Sequence, residues 1–311
     1  MEQVRLGNTD LHVSRVCFGG WQASPRFWGE VPEADIQAAM HRALECGVNF
    51  FDTADAYGEG RGEEIFGRAF AGVRRDAYVM ATKVYWHWDE TDPERPRYPD
   101  LSHDYILRAC ENSLRRLKTD HIDLYQIHAY DPLTPPEEYF SALEKLKKAG
   151  KVRYLGCSNY TSVQLHAAMR VARFDAVQPR YNMMDRESED DLLPLCQAEK
   201  LGVLVYSTLN LGLLTGKFTG REKFDDLRSK RPRFRGEEFQ KAVAKVNRLK
   251  PIAERLGVSV TRLVIRATLA HPAVHCAIVG VKNAAQIEES AQAMDFSINR
   301  ETYHEIRTAL A

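Results

Sequence analysis

The strongest constraint in this chain is a rhythm. Short apolar runs alternate with longer amphipathic segments along most of its 311 residues. The runs are Val16–Gly20, Val48–Phe51, Tyr78–Ala81, Ile122–Ile127, Val152–Cys157, Ala176–Gln178, Val203–Tyr206 and Cys276–Val279. Each is largely apolar on consecutive positions, as parallel strands buried on both faces require. Between them, apolar residues recur three and four apart and line one face of a helix. Pro32–Cys46 ends at Gly47, Ser102–Leu117 opens on a serine cap, and Pro136–Ala149 closes at Gly150, while Leu192–Lys200 closes at Gly202.

Eight strand–helix repeats predict an α/β fold of the (β/α)8 TIM-barrel type, formed by residues 1–311 as a single domain. A doubly wound sheet also alternates, but it needs a glycine-rich fingerprint after its first strand. Phe18-Gly19-Gly20-Trp21 has no third glycine placed to open a helix. Two regions fall outside the rhythm. Residues 3–14 read as an N-terminal β-hairpin around Gly7-Asn8-Thr9-Asp10, suited to plug the barrel bottom. The gap between Tyr206 and Cys276 holds a Gly- and Arg-rich loop from Leu211 to Gly236, then additional helices Glu237–Leu256 and Ser259–His271. A further helix, Arg300–Leu310, ends the chain.

Composition excludes several classes. The 43 basic and 43 acidic side chains cancel, so no net field draws in a nucleic acid. No 18-residue apolar stretch reads as a membrane span, and the N-terminus lacks an apolar signal core. The six cysteines, at 17, 46, 110, 157, 196 and 276, form no CxxC pair or zinc spacing, which points to a reducing, cytoplasmic setting.

In a parallel barrel the strand C-termini share one face, and chemistry is built there. The second strand ends in Asp52, with Tyr57 in its loop; the third ends in Lys83 and the fourth in His128. This set can protonate a carbonyl oxygen. A free phenol titrates at about 10 and is a sluggish acid, and an ammonium beside it favours the phenolate and lowers that value. A buried lysine needs a carboxylate, the natural role of Asp52. His128 can donate to the same oxygen. None of the four can deliver a hydride, so reduction would need a nicotinamide.

The stretch Gly47-Val48-Asn49-Phe50-Phe51-Asp52-Thr53-Ala54-Asp55-Ala56-Tyr57-Gly58 resembles the signature of the aldo-keto reductase superfamily. So do Ala81-Thr82-Lys83, Asp123-Leu124-Tyr125-Gln126-Ile127-His128, Gly150–Asn159 and Leu211–Lys217. The resemblance is to the bacterial-type branch with a long loop after strand seven. It implies an oxidoreductase that transfers hydride between NADP(H) and an aldehyde, ketone, sugar or alcohol. Tyr57, with Asp52, Lys83 and His128, then matches the family tetrad, and Tyr57 is the proton donor.

The resemblance also assigns Ser158, Asn159 and Gln178 to the carboxamide of the nicotinamide, and Tyr206 to stacking on its ring. Ser207, Leu209, Gly212, Leu214 and Lys217 follow strand seven, where glycine lets backbone N–H groups approach a pyrophosphate. After strand eight, Gly280, Lys282, Gln286 and Glu289 surround a helix N-terminus suited to anions. By resemblance, Lys282 meets the 2′-phosphate, Gln286 supports it, and Glu289 faces the adenine. Ser158 and Asn159 read equally as helix caps, and Tyr206 as core packing.

Thr208 stands where the family usually has proline, Ser290 where it has asparagine, and Gln286 where other branches carry arginine. A lone lysine discriminates less firmly than a lysine with a bidentate arginine, so NAD(H) stays open. Trp21, Trp86 and Trp88 are candidate walls for a small substrate. Asp89–Asp100 reads as an exposed loop framing the opening, and the five basic residues from Arg228 to Arg235 read as a flap over a phosphate-rich cofactor. Other readings are a nucleotide-sensing subunit with little turnover, like the superfamily's potassium-channel β subunits, and an NAD-preferring aldose or polyol dehydrogenase. The channel subunits carry an extra N-terminal segment, whereas this chain enters its hairpin at once. A metal-dependent hydrolase needs several ligands at the rim, and only His128 qualifies among strand-end histidines.

Overall fold

A computed structural model of the chain describes residues 1–88 and 96–311, with Arg26 described by its backbone alone. Strands β1 (Gln3–Arg5) and β2 (His12–Ser14) form an antiparallel hairpin. Eight parallel strands then close a barrel: β3 (Val16–Gly19), β4 (Phe50–Asp52), β5 (Val79–Val84), β8 (Ile122–Ile127), β9 (Val152–Ser158), β10 (Ala176–Gln178), β11 (Gly202–Val205) and β12 (Cys276–Gly280). Between β5 and β8, a two-residue ribbon pairs β6 (Trp86–His87) with β7 (Tyr98–Pro99). The expected loop Asp89–Asp100 lies outside the described residues over 89–95, and its end forms that ribbon instead of open loop.

The continuous apolar runs have a simple cause. Alternate residues of each strand face opposite sides. Cys17, Phe50, Ala81, Leu124, Leu204, Cys276 and Ile278 fill the barrel interior. Val16, Phe18, Phe51, Met80, Ala277 and Val279 pack outward on the helices. The hairpin supplies the interior's lower layer through Leu6, Leu11 and Val13. It sits so close that a side chain on Gly202 would meet Leu6 Cγ at 2.6 Å. The six residues 6–11 join the hairpin strands, stitched by Leu6 N–H to Leu11 O at 2.9 Å. A two-residue turn would not span the barrel floor.

Several boundaries differ from the sequence expectation. The segment expected as one helix, Glu237–Leu256, is two, Gly236–Asn247 and Lys250–Arg255. Pro251 lacks an N–H and its ring crowds the carbonyl four residues back, so the helix restarts there. The helix expected to close at Gly202 ends at Ala198, and Lys200 takes the left-handed turn with φ +53°. Ser102 stands at its helix N-terminus, yet its side chain makes no capping bond; its own N–H donates to Asp100 Oδ1. Strand β5 runs on to Val84, which carries Lys83 into the barrel interior. Among the described residues no helix is long and apolar enough to cross a membrane.

Candidate active site

Parallel pairing sets Asp52 against Ala81, two residues before Lys83 on the neighbouring strand. Both side chains are buried, and Lys83 Nζ donates to Asp52 Oδ2 at 2.6 Å and to the Thr53 carbonyl at 2.8 Å. The other oxygen, Asp52 Oδ1, accepts from Gln178 Nε2 at 2.8 Å and Gln126 Nε2 at 3.2 Å. Burial alone would drive the lysine toward its neutral form, but Asp52, with a further contribution from the Tyr57 phenol, more than offsets it and holds the ammonium above its ordinary value. The charge therefore persists inside the barrel.

Tyr57 hangs over this pair. Its ring centroid lies 5.3 Å from Lys83 Nζ and 5.9 Å from the His128 ring, which meets it edge-on at 78°. Burial pushes the phenol up to about 12, with Lys83 pulling the other way. This corrects the expectation of a depressed phenol. Removing water costs the phenolate more than a lysine already neutralised by Asp52 returns. His128 is pushed down to about 3 by burial and by Lys83, so at neutral pH it is a neutral imidazole. Its Nδ1 is buried and has no partner among the described residues.

A cleft of about 1090 Å³ runs from this group across the barrel mouth. Asp52, Tyr57 and His128 line it together with Ser158, Asn159, Gln178, Tyr206, Ser207, Leu209, Gly212 and Lys217. Gly280, Lys282, Gln286 and Glu289 line it too, as do Trp21 and Trp86. Three expected residues stand apart, and of these Lys83 lies fully buried behind the lining, paired with Asp52. Trp88 is not part of the lining, and its ring lies 5.8 Å from the Arg116 guanidinium. Leu214 is fully buried in an apolar cluster with Phe218 and Phe239, so its side chain cannot meet a cofactor. The N–H groups of Gly212 and Leu214 both donate to Leu209 O, at 2.9 and 3.1 Å. These two amides brace the loop and are not left to a pyrophosphate.

The helix-cap reading of Ser158 and Asn159 gives way. The next helix, Ser162–Met169, is capped by Thr161 in a capping box with Gln164. Ser158 Oγ instead donates to Gln178 O at 2.9 Å, while Asn159 Nδ2 donates to His128 O at 2.8 Å. Asn159 Oδ1 receives the Tyr206 hydroxyl at 2.7 Å, which fixes that ring at the cleft wall. Thr208, in the place of the usual proline, is buried and donates to Ile278 O at 2.9 Å, tying the loop to β12.

The far end of the cleft gathers Lys217, Arg228 and Lys282. Burial lowers both lysines below their ordinary values, and Arg228 lowers them further. Lys282 Nζ donates to the Trp28 carbonyl at 3.2 Å. Trp28 presents a buried indole N–H without a partner among the described residues. Cations pressed together beside an unused donor fit a multiply charged phosphate group. Trp28, Phe27 and Gln22 line the cleft yet escaped sequence reasoning. Gln22 lies within 2.2 Å of where a side chain on Gly280 would begin, a long-range contact that local pattern does not carry.

The Aldo/keto reductase family model matches residues 15–311. The chain belongs to the aldo/keto reductase family. It is 36% identical to aldo-keto reductase YhdN of Bacillus subtilis (strain 168), over 100% of this chain and 94% of that protein. It is 34% identical to a probable voltage-gated potassium channel subunit beta of Oryza sativa subsp. japonica, over 95% of this chain and 92% of that one. The solved structure of the glycerol dehydrogenase AKR11B4 from Gluconobacter oxydans superposes with a TM-score of 0.91 at 34% identity, covering 99% of this chain and 95% of that one. As an aldo/keto reductase the protein is an oxidoreductase of small carbonyl or alcohol compounds that uses a nicotinamide cofactor.

In this aldo/keto reductase the buried ion pair sets the first test. Asp52→Asn leaves the Lys83 ammonium buried without its counter-charge and should destabilise the fold by about 3–5 kcal/mol. Urea unfolding measures this; a loss under about 1 kcal/mol, the size typical of an exposed pair, would show that Asp52 does not hold Lys83 charged.

Proposed function

We propose that the protein reduces carbonyl compounds with NADPH, and oxidises the corresponding alcohols, with Tyr57 as the proton donor. The observation that carries this reading is the stack of a phenol over a buried, ion-paired ammonium beside a neutral imidazole at the mouth of the cleft. Bound in the cleft, the nicotinamide supplies the hydride in reduction and takes it back in oxidation. Asn159, Ser158 and Gln178 would hold the carboxamide, Tyr206 would stack on the nicotinamide ring, and Lys217, Arg228 and Lys282 would hold the phosphates.

Proton handling follows from the environment of each group. A phenol held near 12 is fully protonated at neutral pH and can donate to a carbonyl oxygen as that oxygen gains charge. The phenolate left behind faces Lys83, whose charge Asp52 secures. His128, neutral at this pH, keeps a single ring N–H and cannot serve as the acid. It can donate one hydrogen bond to the same oxygen and fix its position between phenol and imidazole. In oxidation the roles reverse, and the Tyr57 phenolate takes the proton from the alcohol.

Tyr57→Phe removes the acid and keeps the ring. It should lower kcat by about 100-fold or more while NADPH affinity holds, read by stopped-flow rates and fluorescence titration. Unchanged turnover ends the assignment. Lys282→Ala should weaken NADPH binding by about tenfold and NADH much less, since only the former carries the extra phosphate. Equal losses for both cofactors would count against Lys282 as the group that meets the extra phosphate. The likeness to a channel β subunit supports a second reading, in which the same cleft senses the cofactor and turns over slowly. Negligible steady-state rates over aldehydes and sugars, with tight NADPH binding, would favour it.

A further inference from the structure

The chain has no net charge, yet its cleft does. Seven basic side chains line it against three acidic ones, Asp52, Glu238 and Glu289. Among the seven, Lys217, Arg228 and Lys282 form the phosphate end described above. Arg180 and Arg233 share the buried Asp185, at 2.6 and 2.5 Å, one carboxylate between two guanidinium groups, and Arg228 is itself held by Asp226 at 2.6 Å. Arg97 and Arg231 line the cleft as well, Arg97 with one carboxylate partner outside the lining and Arg231 with no ion pair among the described residues.

Arg97 follows the third barrel strand and lines the cleft together with Tyr57, Trp86 and His128. Its side chain is 19% exposed, and its Nη2 lies 2.9 Å from Glu59 Oε1, two residues past Tyr57. Glu59 is about half exposed and engages one of the guanidinium's five donors. Glu59 itself does not line the cleft, so the group presented there is donor-only. Arg231, on the long loop after β11, lines the cleft with an exposed side chain. It makes no ion pair with a described residue, and its charge reaches the Tyr206 phenol. Trp21, Phe27 and Trp86 line the same cleft, with the Trp21 ring 6.4 Å from that of Tyr57. Aromatic walls would hold an uncharged tail without any cation, so two further guanidinium groups in the lining point to acceptor oxygens carrying charge.

Building on the reading above, we propose that the physiological substrate carries an anionic oxygen group, a carboxylate or a phosphate ester, which Arg97 and Arg231 recognise while the carbonyl meets Tyr57. Both arginines act on binding, so their effect falls on KM. The aromatic walls select a short chain between the two ends of the substrate.

The test compares kcat/KM, with NADPH, for butanal against 4-oxobutanoate and for glyceraldehyde against its 3-phosphate. Wild type, Arg97→Gln, Arg97→Lys and Arg231→Gln are assayed side by side. In wild type the charged member of at least one pair should win by about tenfold or more, through KM. The pair that responds tells carboxylate from phosphate. The ratio should collapse toward unity in Arg97→Gln, fall in Arg231→Gln, survive in part in Arg97→Lys, and shrink as salt is raised. Equal values within both pairs in wild type, or a ratio untouched by all three substitutions, overturns the proposal. If none of the four compounds turns over, it is the proposed NADPH-dependent carbonyl reduction that fails, and not the anion site. Calorimetric titration of succinate and of glycerol 3-phosphate into the protein then reads the anion site directly. Binding that is lost in Arg97→Gln sustains the site, and its absence in wild type removes it.

Discussion

Three side chains hold the Asp52 carboxylate, and the charge on Lys83 depends on their doing so. Lys83 Nζ takes one oxygen, and the amides of Gln178 and Gln126 take the other. A lysine fully inside a barrel is otherwise driven toward neutrality, and an unpaired one would destabilise the fold. The four partners come from β4, β5, β8 and β10, so the site exists only when the barrel is closed. Stability and chemistry therefore share one hydrogen-bonded group, and Tyr57 and His128 take their properties from it.

The same group explains why the phenol and the imidazole divide their work. Burial raises one and lowers the other, leaving a protonated phenol and an uncharged ring at neutral pH. Lys83 acts on both, easing the loss of the phenol's proton and discouraging a second proton on the imidazole. The rest of the cleft is graded by charge. One end crowds Lys217, Arg228 and Lys282, and the middle is set by Tyr206 hydrogen-bonded to Asn159. The end beside Tyr57 is aromatic.

Much of this was legible in the sequence. Eight apolar runs mark the eight barrel strands because both faces of each are covered, and that burial leaves a pattern in adjacent residues. Asp52, Lys83 and His128 stand at or near strand ends, which a barrel brings together on one face. The direction of the Tyr57 shift was not legible, because it depends on how much water the closed barrel excludes. Nor were Trp88 and Leu214 placeable, since a side chain's direction within a loop depends on neighbours distant in sequence. The helix break at Pro251 was legible in principle, for the proline itself is the signal. Gln22 against Gly280, and Trp28 against Lys282, are contacts between the first and last barrel loops. No local periodicity records them.

The most direct measurement is the pH dependence of kcat for carbonyl reduction, taken with saturating cofactor and substrate. A phenol near 12 as the acid, beside an imidazole near 3, gives a rate that stays level from about pH 5 to 9 with no inflection in the histidine range. A rate that falls away with an apparent pKa of about 6–7 would mean that a protonated histidine supplies the proton, and the account built on Tyr57 and Lys83 would be wrong.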